Sequence, residues 1–239
     1  MAGTTIEIKL SQYLCSGDLA TPIEPEEEHL RSTSPGVVVA KIRGKSLLGI
    51  PRKLRDHSTL QRAYSILNPK IRDYFIISAC RNPWDRAVSQ FFWSYRKRNI
   101  AAEDFKTQKF EFNKFVKIYG PKTWLDSFYG RKKQRSLDSS HLYTVNRKIH
   151  VNFMIRFEKL EDDFSDLVKL LSLSTKDAKK VIFAKSTFRP GKAKSWQNFY
   201  DQSTIDLVAK CCQKEIEYFN YNFEGSSKIR GGLLRKLNV

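Results

Sequence analysis

This chain lacks long apolar runs, and its cysteines do not follow a metal-binding or disulfide pattern. The first absence argues against a membrane-spanning protein, and the second argues against a zinc-binding or disulfide-rich one. No apolar run approaches the roughly 18 residues that a membrane span requires, and no signal peptide is visible at the N-terminus. The sequence as given therefore predicts a cytoplasmic protein without a membrane span. The four cysteines have neither the spacing of a zinc site nor that of a disulfide framework, so we expect reduced thiols. The sequence also offers no obvious carboxylate pair for Mg²⁺.

Acidic residues are in short supply relative to basic ones. Asp and Glu number 25 against 43 Lys and Arg, which leaves a net charge of +18. Such a charge favours polyanionic partners, namely nucleic acid, phosphorylated cofactors, acidic glycans or membrane surfaces, but does not choose among them. The chain has 239 residues, 41% of them hydrophobic and 13% aromatic, and no internal repeat. We predict a single domain over residues 1–225 and a basic, flexible tail over residues 226–239.

The clearest local pattern is a strand, a tight turn and a helix between Tyr74 and Tyr95. A short apolar run ends at Arg81, after which Asn82 suits an N-cap and Pro83 the first helical position. In a parallel α/β sheet, ligands bind beyond the carboxyl ends of the strands. An arginine at such an end is suited to hold an anion. The alternative is an arginine paired with a surface carboxylate, and the spacing leaves both interpretations open.

A second strand-to-helix unit follows later in the chain. Apolar residues alternate through the segment 149–155 and then recur at helical spacing from Leu160 onwards. Two such units predict an α/β fold. In the last long helix, Ser203 and Asp206 have the spacing of a capping box.

Two further stretches carry residues suited to chemistry. Gly3, Thr4 and Thr5 open an amphipathic helix whose N-terminus could hold a phosphate, although Thr is also an ordinary N-cap. His57 precedes a predicted helix and lies 24 positions before Arg81, so the fold could bring it to the same site. An imidazole is the usual general base for a hydroxyl, whereas an exposed surface histidine is the plainer interpretation.

Within the segment 96–148, basic and aromatic residues are interleaved over residues 96–135. This mixture suits sugars or single-stranded nucleic acid, and it is also typical of solvated helix faces over an aromatic core. We predict an insertion that shapes an acceptor groove. The segment 185–195 is a basic loop that contains Pro190 and Gly191.

Four segments, in this order along the chain, resemble the sulfotransferase family. The most specific is Arg81-Asn-Pro-Trp-Asp-Arg-Ala-Val-Ser89, which resembles the family's 3′-phosphate-binding signature. The others are Ala2–Ile6, similar to the end of the 5′-phosphosulfate loop, Phe153–Phe164, and the closing helix Tyr200–Phe223. The resemblance is nearest to the carbohydrate branch, which includes the heparan 2-O-sulfotransferases and bacterial and viral relatives.

The resemblance implies a three-layer fold like that of the P-loop NTPases, with a central parallel sheet flanked by helices. It implies transfer of a sulfuryl group from 3′-phosphoadenosine 5′-phosphosulfate to a hydroxyl of a carbohydrate acceptor. The positive net charge of the chain fits an acidic acceptor. The product would be adenosine 3′,5′-bisphosphate, and no metal is required. By this resemblance, the 5′-phosphosulfate is bound by Gly3, Thr4 and Thr5, and the 3′-phosphate is bound by Arg81 and Ser89. The resemblance also implies that the loop that closes over the nucleotide contains Arg189, Gly191 and Lys192. The implied catalytic base is His57.

The N-terminus departs from the family pattern. A buried strand and a lysine normally precede this loop, and here Met1 stands immediately before Ala2-Gly3-Thr4. We therefore expect this chain to be an N-terminally shortened version of a longer protein. Two rival functions stay open at this stage. A nucleic-acid-binding protein would account for the charge but not for the ordered segments, and a P-loop kinase of small molecules would bind ATP instead.

Overall fold

The structure, a computed structural model, describes residues 3–23, 25–31, 38–39, 43–45, 51–53, 58–67, 70–121, 136–173, 195–225 and 231–234. The chain divides into two compact units. Unit 1 comprises Met1–Cys80, His141–Ala184 and Gly231–Val239, and unit 2 comprises Arg81–Ser140 and Lys185–Arg230.

The main sheet of unit 1 has three strands, β5 (Ile77–Cys80), β8 (Phe153–Arg156) and β9 (Gly232–Leu233). Strands β5 and β8 are parallel, with Ile77 opposite Phe153 and Cys80 opposite Arg156. Strand β9 runs antiparallel to β8. Three small pairs accompany this sheet: parallel β1 (Leu19–Ala20) with β2 (Val38–Val39), antiparallel β3 (Arg43–Lys45) with β4 (Pro51–Lys53), and antiparallel β6 (Thr144–Val145) with β7 (Lys148–Ile149).

The helices of unit 1 are α1 (Gly3–Ser11), α2 (Pro25–Glu28), α3 (Leu60–Leu67) and α6 (Leu160–Leu170). Its hydrophobic core joins one face of α1, the strands β5 and β8, and the apolar stripe of α6. The buried members are Ile6, Ala79, Phe153, Ile155, Leu160, Phe164, Leu167 and Val168. The first three residues of β8, Phe153, Met154 and Ile155, are apolar and buried, as expected of a parallel strand that is covered on both faces.

Unit 2 is helical, with α4 (Pro83–Tyr95), α5 (Phe105–Tyr119), α7 (Gln202–Cys211) and α8 (Gln213–Phe219). Its core is built from aromatic rings in edge-to-face contact, an arrangement that their quadrupoles favour. Phe112 is central, with its ring centroid 5.6 Å from that of Phe91 and 4.8 Å from that of Tyr200.

The α/β class predicted from the sequence is confirmed, and β5 and β8, the strands of the two predicted strand-to-helix units, are parallel. The sheet is mixed, however, because β9 pairs antiparallel to β8. Gly232 and Leu233 belong to the segment 226–239, for which the sequence predicts a flexible tail. The three-layer arrangement and the domain limits stay predictions.

One capping prediction was wrong. Helix α7 is capped by Asp201, which forms a capping box with Thr204, so the box lies two residues before the predicted pair Ser203 and Asp206. A long apolar helix of the kind that crosses membranes does not occur among the described residues.

Candidate functional site

The junction between β5 and α4 has the geometry that the sequence predicts. Asn82 has non-helical backbone angles (φ −44°, ψ 121°), and its Oδ1 accepts hydrogen bonds from the backbone N–H groups of Trp84 at 3.0 Å and Asp85 at 3.4 Å. Pro83 occupies the first helical position, where its missing N–H costs nothing. Asn82 Nδ2 also donates to the carbonyl of Asn222 at 2.9 Å. The start of α4 is thus held at both its cap and its flank.

Arg81, the residue before the cap, is buried in an ion pair. Arg81 is only 7% exposed, and its Nε donates to Asp85 Oδ2 at 2.7 Å. The sequence leaves open whether Arg81 binds an anion or pairs with a surface carboxylate. The carboxylate exists, but it is itself 8% exposed, so the pair is buried. The spacing of Arg81 and Asp85 does not by itself predict that the two side chains pair.

Ser89 lies one helical turn beyond Asp85 and is partly buried. Residues four apart share a helix face, so Asp85 and Ser89 point to the same side of α4. In the part of the chain that the structure describes, the Ser89 hydroxyl makes no hydrogen bond. A polar face is therefore formed by Arg81, which precedes α4, and by Asp85 and Ser89, which lie in its first two turns.

A second arginine of the same segment anchors α4 from another side. Arg86 is 5% exposed and forms a two-pronged ion pair with Glu215 of α8, with Nη1 donating to Oε1 at 2.8 Å. Its Nη2 also donates to the carbonyl of Leu137 at 2.6 Å. The backbone N–H of Ser139 donates to Glu215 Oε2 at 3.1 Å. This buried network ties α4, the segment 137–139 and α8 together.

The pKa values of the two acids at this network, Glu215 and Asp138, shift in opposite directions. Burial alone would raise the pKa of Glu215, but the Arg86 guanidinium and the hydrogen bonds from Ser139 outweigh it and hold that pKa below its usual value. Burial, followed by the charge of Glu215, raises the pKa of Asp138. Burial also raises the pKa of the Cys212 thiol well above its ordinary value, so this cysteine is a protonated, unreactive thiol.

Sequence reasoning missed the Arg86–Glu215 pair, because the two residues are 129 positions apart. The sequence gives one indirect sign that Arg86 needs a partner. Arg86 lies off the apolar stripe of α4 yet is followed at once by Ala87 and Val88, which are fully buried. A charged side chain in such surroundings needs a buried partner, but the sequence does not say which one.

The other predicted site residues are placed as follows. Helix α1 begins at Gly3, as predicted, and Thr5 in its first turn is 4% exposed. Gly3, Thr4 and Thr5 belong to unit 1, whereas Arg81 and Ser89 belong to unit 2. The predicted base His57 and the predicted closing-loop residues Arg189, Gly191 and Lys192 lie outside the described residues. Within the described ranges, no three or more His, Cys, Asp or Glu side chains form a cluster that could hold a metal ion.

Comparison with protein families gives this α/β architecture its class. A family model described as "Sulfotransferase family" matches residues 41–222, which is most of the chain and includes the whole Arg81–Ser89 segment. The chain therefore belongs to the sulfotransferase family and is a transferase of sulfuryl groups. The match begins after Gly3, Thr4 and Thr5, whose assignment stays a prediction. Comparison with curated proteins and comparison with solved structures each gave no match.

Proposed function

We propose that the protein transfers a sulfuryl group from 3′-phosphoadenosine 5′-phosphosulfate to a hydroxyl of a carbohydrate acceptor. The observation that carries the donor assignment is the polar face formed by Arg81 and Ser89 at the start of α4. Membership of the sulfotransferase family supports the reaction class, and the face supports a donor that carries a separate phosphate.

Three features make this face suitable for the donor's 3′-phosphate. Arg81 supplies a guanidinium, whose planar N–H donors match phosphate oxygens. The N-terminus of α4 adds the favourable end of the helix dipole. Ser89 lies seven residues beyond Asn82, about 10 Å along the helix at 1.5 Å per residue, so its hydroxyl suits a phosphate that lies along the flank of α4.

The remaining roles rest on the family resemblance. Gly3, Thr4 and Thr5 would bind the 5′-phosphosulfate through the N-terminus of α1. Arg189, Gly191 and Lys192 would close over the bound nucleotide. The three-layer fold like that of the P-loop NTPases belongs to the same proposal.

His57 is proposed as the general base. It would take the proton of the acceptor hydroxyl, and the acceptor oxygen would form a bond to sulfur as the bond between sulfur and the phosphate oxygen breaks. Adenosine 3′,5′-bisphosphate would leave with that electron pair, stabilised by positive groups around its phosphates. The basic segment 96–148 is proposed to contact the carbohydrate acceptor, and the net charge of +18 supports an acidic one.

Calorimetry with two nucleotides tests the donor assignment. We expect the wild-type protein to bind adenosine 3′,5′-bisphosphate more tightly than adenosine 5′-monophosphate, which lacks the 3′-phosphate. Arg81→Ala should weaken binding of the bisphosphate by about tenfold to a hundredfold, the value of a charge-assisted hydrogen bond. Arg98→Ala, which removes an exposed arginine just beyond the far end of α4, is the matched control and should bind like the wild type.

Equal affinity of the wild type for both nucleotides would overturn the assignment of the 3′-phosphate to this face. Binding of ATP without binding of the bisphosphate would favour a kinase instead. If the bisphosphate binds, transfer of radiolabelled sulfate to a panel of neutral and acidic polysaccharides tests the acceptor class.

A further inference from the structure

A carboxylate lies within the face that we assign to the 3′-phosphate. Asp85 is four residues from both Arg81 and Ser89 in the sequence, and its Oδ2 is 2.7 Å from Arg81 Nε. A carboxylate repels a phosphate, and the repulsion is strong where water is excluded. Asp85 should therefore weaken phosphate binding unless it contributes something that offsets the repulsion.

The contacts of Asp85 show what that contribution is. Asp85 is held in the first turn of α4, where its backbone N–H is bonded to the cap residue Asn82 and where the helix dipole favours a negative charge. Its carboxylate takes the Nε edge of the Arg81 guanidinium. The other four N–H donors of an arginine are carried by its two Nη atoms. The contact with Asp85 thus restrains the guanidinium at its Nε edge.

We infer that Asp85 is a positioning residue that orients the Arg81 guanidinium for an anionic ligand. The inference rests on the proposed function, since it assigns the orienting role toward the 3′-phosphate. A long arginine side chain loses rotamer freedom when it binds a ligand. When Asp85 holds the side chain in place beforehand, that loss is not incurred at the moment of binding. The same logic applies to any anion-binding arginine with a buried carboxylate on its Nε.

The substitution Asp85→Asn separates orientation from repulsion, because the two effects have opposite signs. If Asp85 orients Arg81, the variant should bind adenosine 3′,5′-bisphosphate about tenfold more weakly, the value of one charge-assisted hydrogen bond. Its affinity for adenosine 5′-monophosphate should change little. Asp85→Glu, which keeps the charge and the acceptor, should recover most of the loss. Asp206→Asn, which removes an exposed aspartate of α7, is the control for net charge and should behave like the wild type.

A double variant tests whether Asp85 acts through Arg81. In an Arg81→Ala background, Asp85→Asn should cause no further loss of affinity for the bisphosphate. Tighter binding of the bisphosphate by Asp85→Asn alone would show that repulsion dominates and would overturn the inference. An equal loss for both nucleotides would also overturn it, because it would mean that Asp85 only supports the fold. Equal binding of the two nucleotides by the wild type would contradict the proposed function itself. The experiment therefore distinguishes a failure of the donor assignment from a failure of the inference about Asp85.

Discussion

Two arginines in the α4 segment, Arg81 and Arg86, are both buried, but their carboxylate partners differ in distance along the chain. Arg81 is paired with Asp85, one turn away. Arg86 is paired with Glu215, which comes from a different helix. The first pair is local and belongs to the proposed phosphate face, whereas the second is structural. Removing one member of a buried pair leaves the other charge without compensation, which costs more than the pair itself contributes.

We therefore expect Glu215→Gln to destabilise the protein by about 3–5 kcal/mol, since Arg86 would stay buried without its counter-charge. Glu111→Gln, which breaks the partly exposed pair with Lys114, is the control and should cost less than about 1 kcal/mol. Urea denaturation followed by circular dichroism measures both changes. A loss for Glu215→Gln no larger than for Glu111→Gln would show that the pair has no structural role.

The Arg86–Glu215 pair also makes the stability of the protein depend on pH, and the sign of this dependence is known. Because the pKa of Glu215 is lower in the folded protein than its ordinary value, its contribution to stability is complete above the unfolded pKa and is lost as the pH falls through the folded pKa. The stability difference between the wild type and Glu215→Gln should therefore narrow on acidification. A difference that widens as the pH falls would contradict the direction of this shift.

At the scale of elements, the β6–β7 hairpin shows a sequence that does not match its turn. Asn146 and Arg147 connect the two strands, and both have positive φ, at 48° and 62°. A two-residue turn with both φ values positive favours Asn followed by Gly. Asn146 fits, and its backbone N–H donates to Gln61 Oε1 of α3 at 3.0 Å. Arg147 occupies the glycine position, so its Cβ strains the turn.

We expect Arg147→Gly to be more stable than Arg147→Ala by about 1 kcal/mol, since only glycine adopts this backbone conformation without strain. Alanine is the matched control because both variants lose the contacts of the arginine side chain and differ only in Cβ. Urea denaturation midpoints of the two variants test the expectation. Equal midpoints would mean that the turn relaxes around a side chain at this position.

At the scale of the whole molecule, charge and local architecture act separately. Each compact unit has its own core, an aliphatic one around β5 and β8 in unit 1 and an aromatic one around Phe112 in unit 2. The net charge of +18 does not determine either core. It acts in solution instead, where it attracts anionic ligands over distances set by the ionic strength.

If the protein binds adenosine 3′,5′-bisphosphate, we expect the association rate to fall severalfold from low to high salt, with a smaller change in the dissociation rate. A Lys106→Glu and Lys117→Glu double variant lowers the net charge at two exposed positions of α5. It should slow association while leaving dissociation nearly unchanged. Stopped-flow fluorescence measures both rates. A salt-independent association rate would mean that the net charge does not steer this ligand.

The sequence alone determined the local features of this protein and its family. The strand at 77–80, the cap at Asn82, the proline at the first helical position and the second unit from Phe153 onwards all depend on residues within one or two turns of each other. Such patterns can be read from one chain, because capping, strand alternation and helical spacing are short-range effects. The ordered segments also identified the sulfotransferase family, which the family match confirms.

Only the tertiary structure decided which side chains meet. Periodicity places Arg86 on α4, but it cannot select Glu215 from among the acidic residues of the chain. Likewise, Gly232 and Leu233 carry no signal that they would pair antiparallel with β8. Even Asp85, four residues from Arg81, could have pointed to solvent. Burial made the difference, since a charge removed from water must find a partner, and the fold determines which partner is within reach.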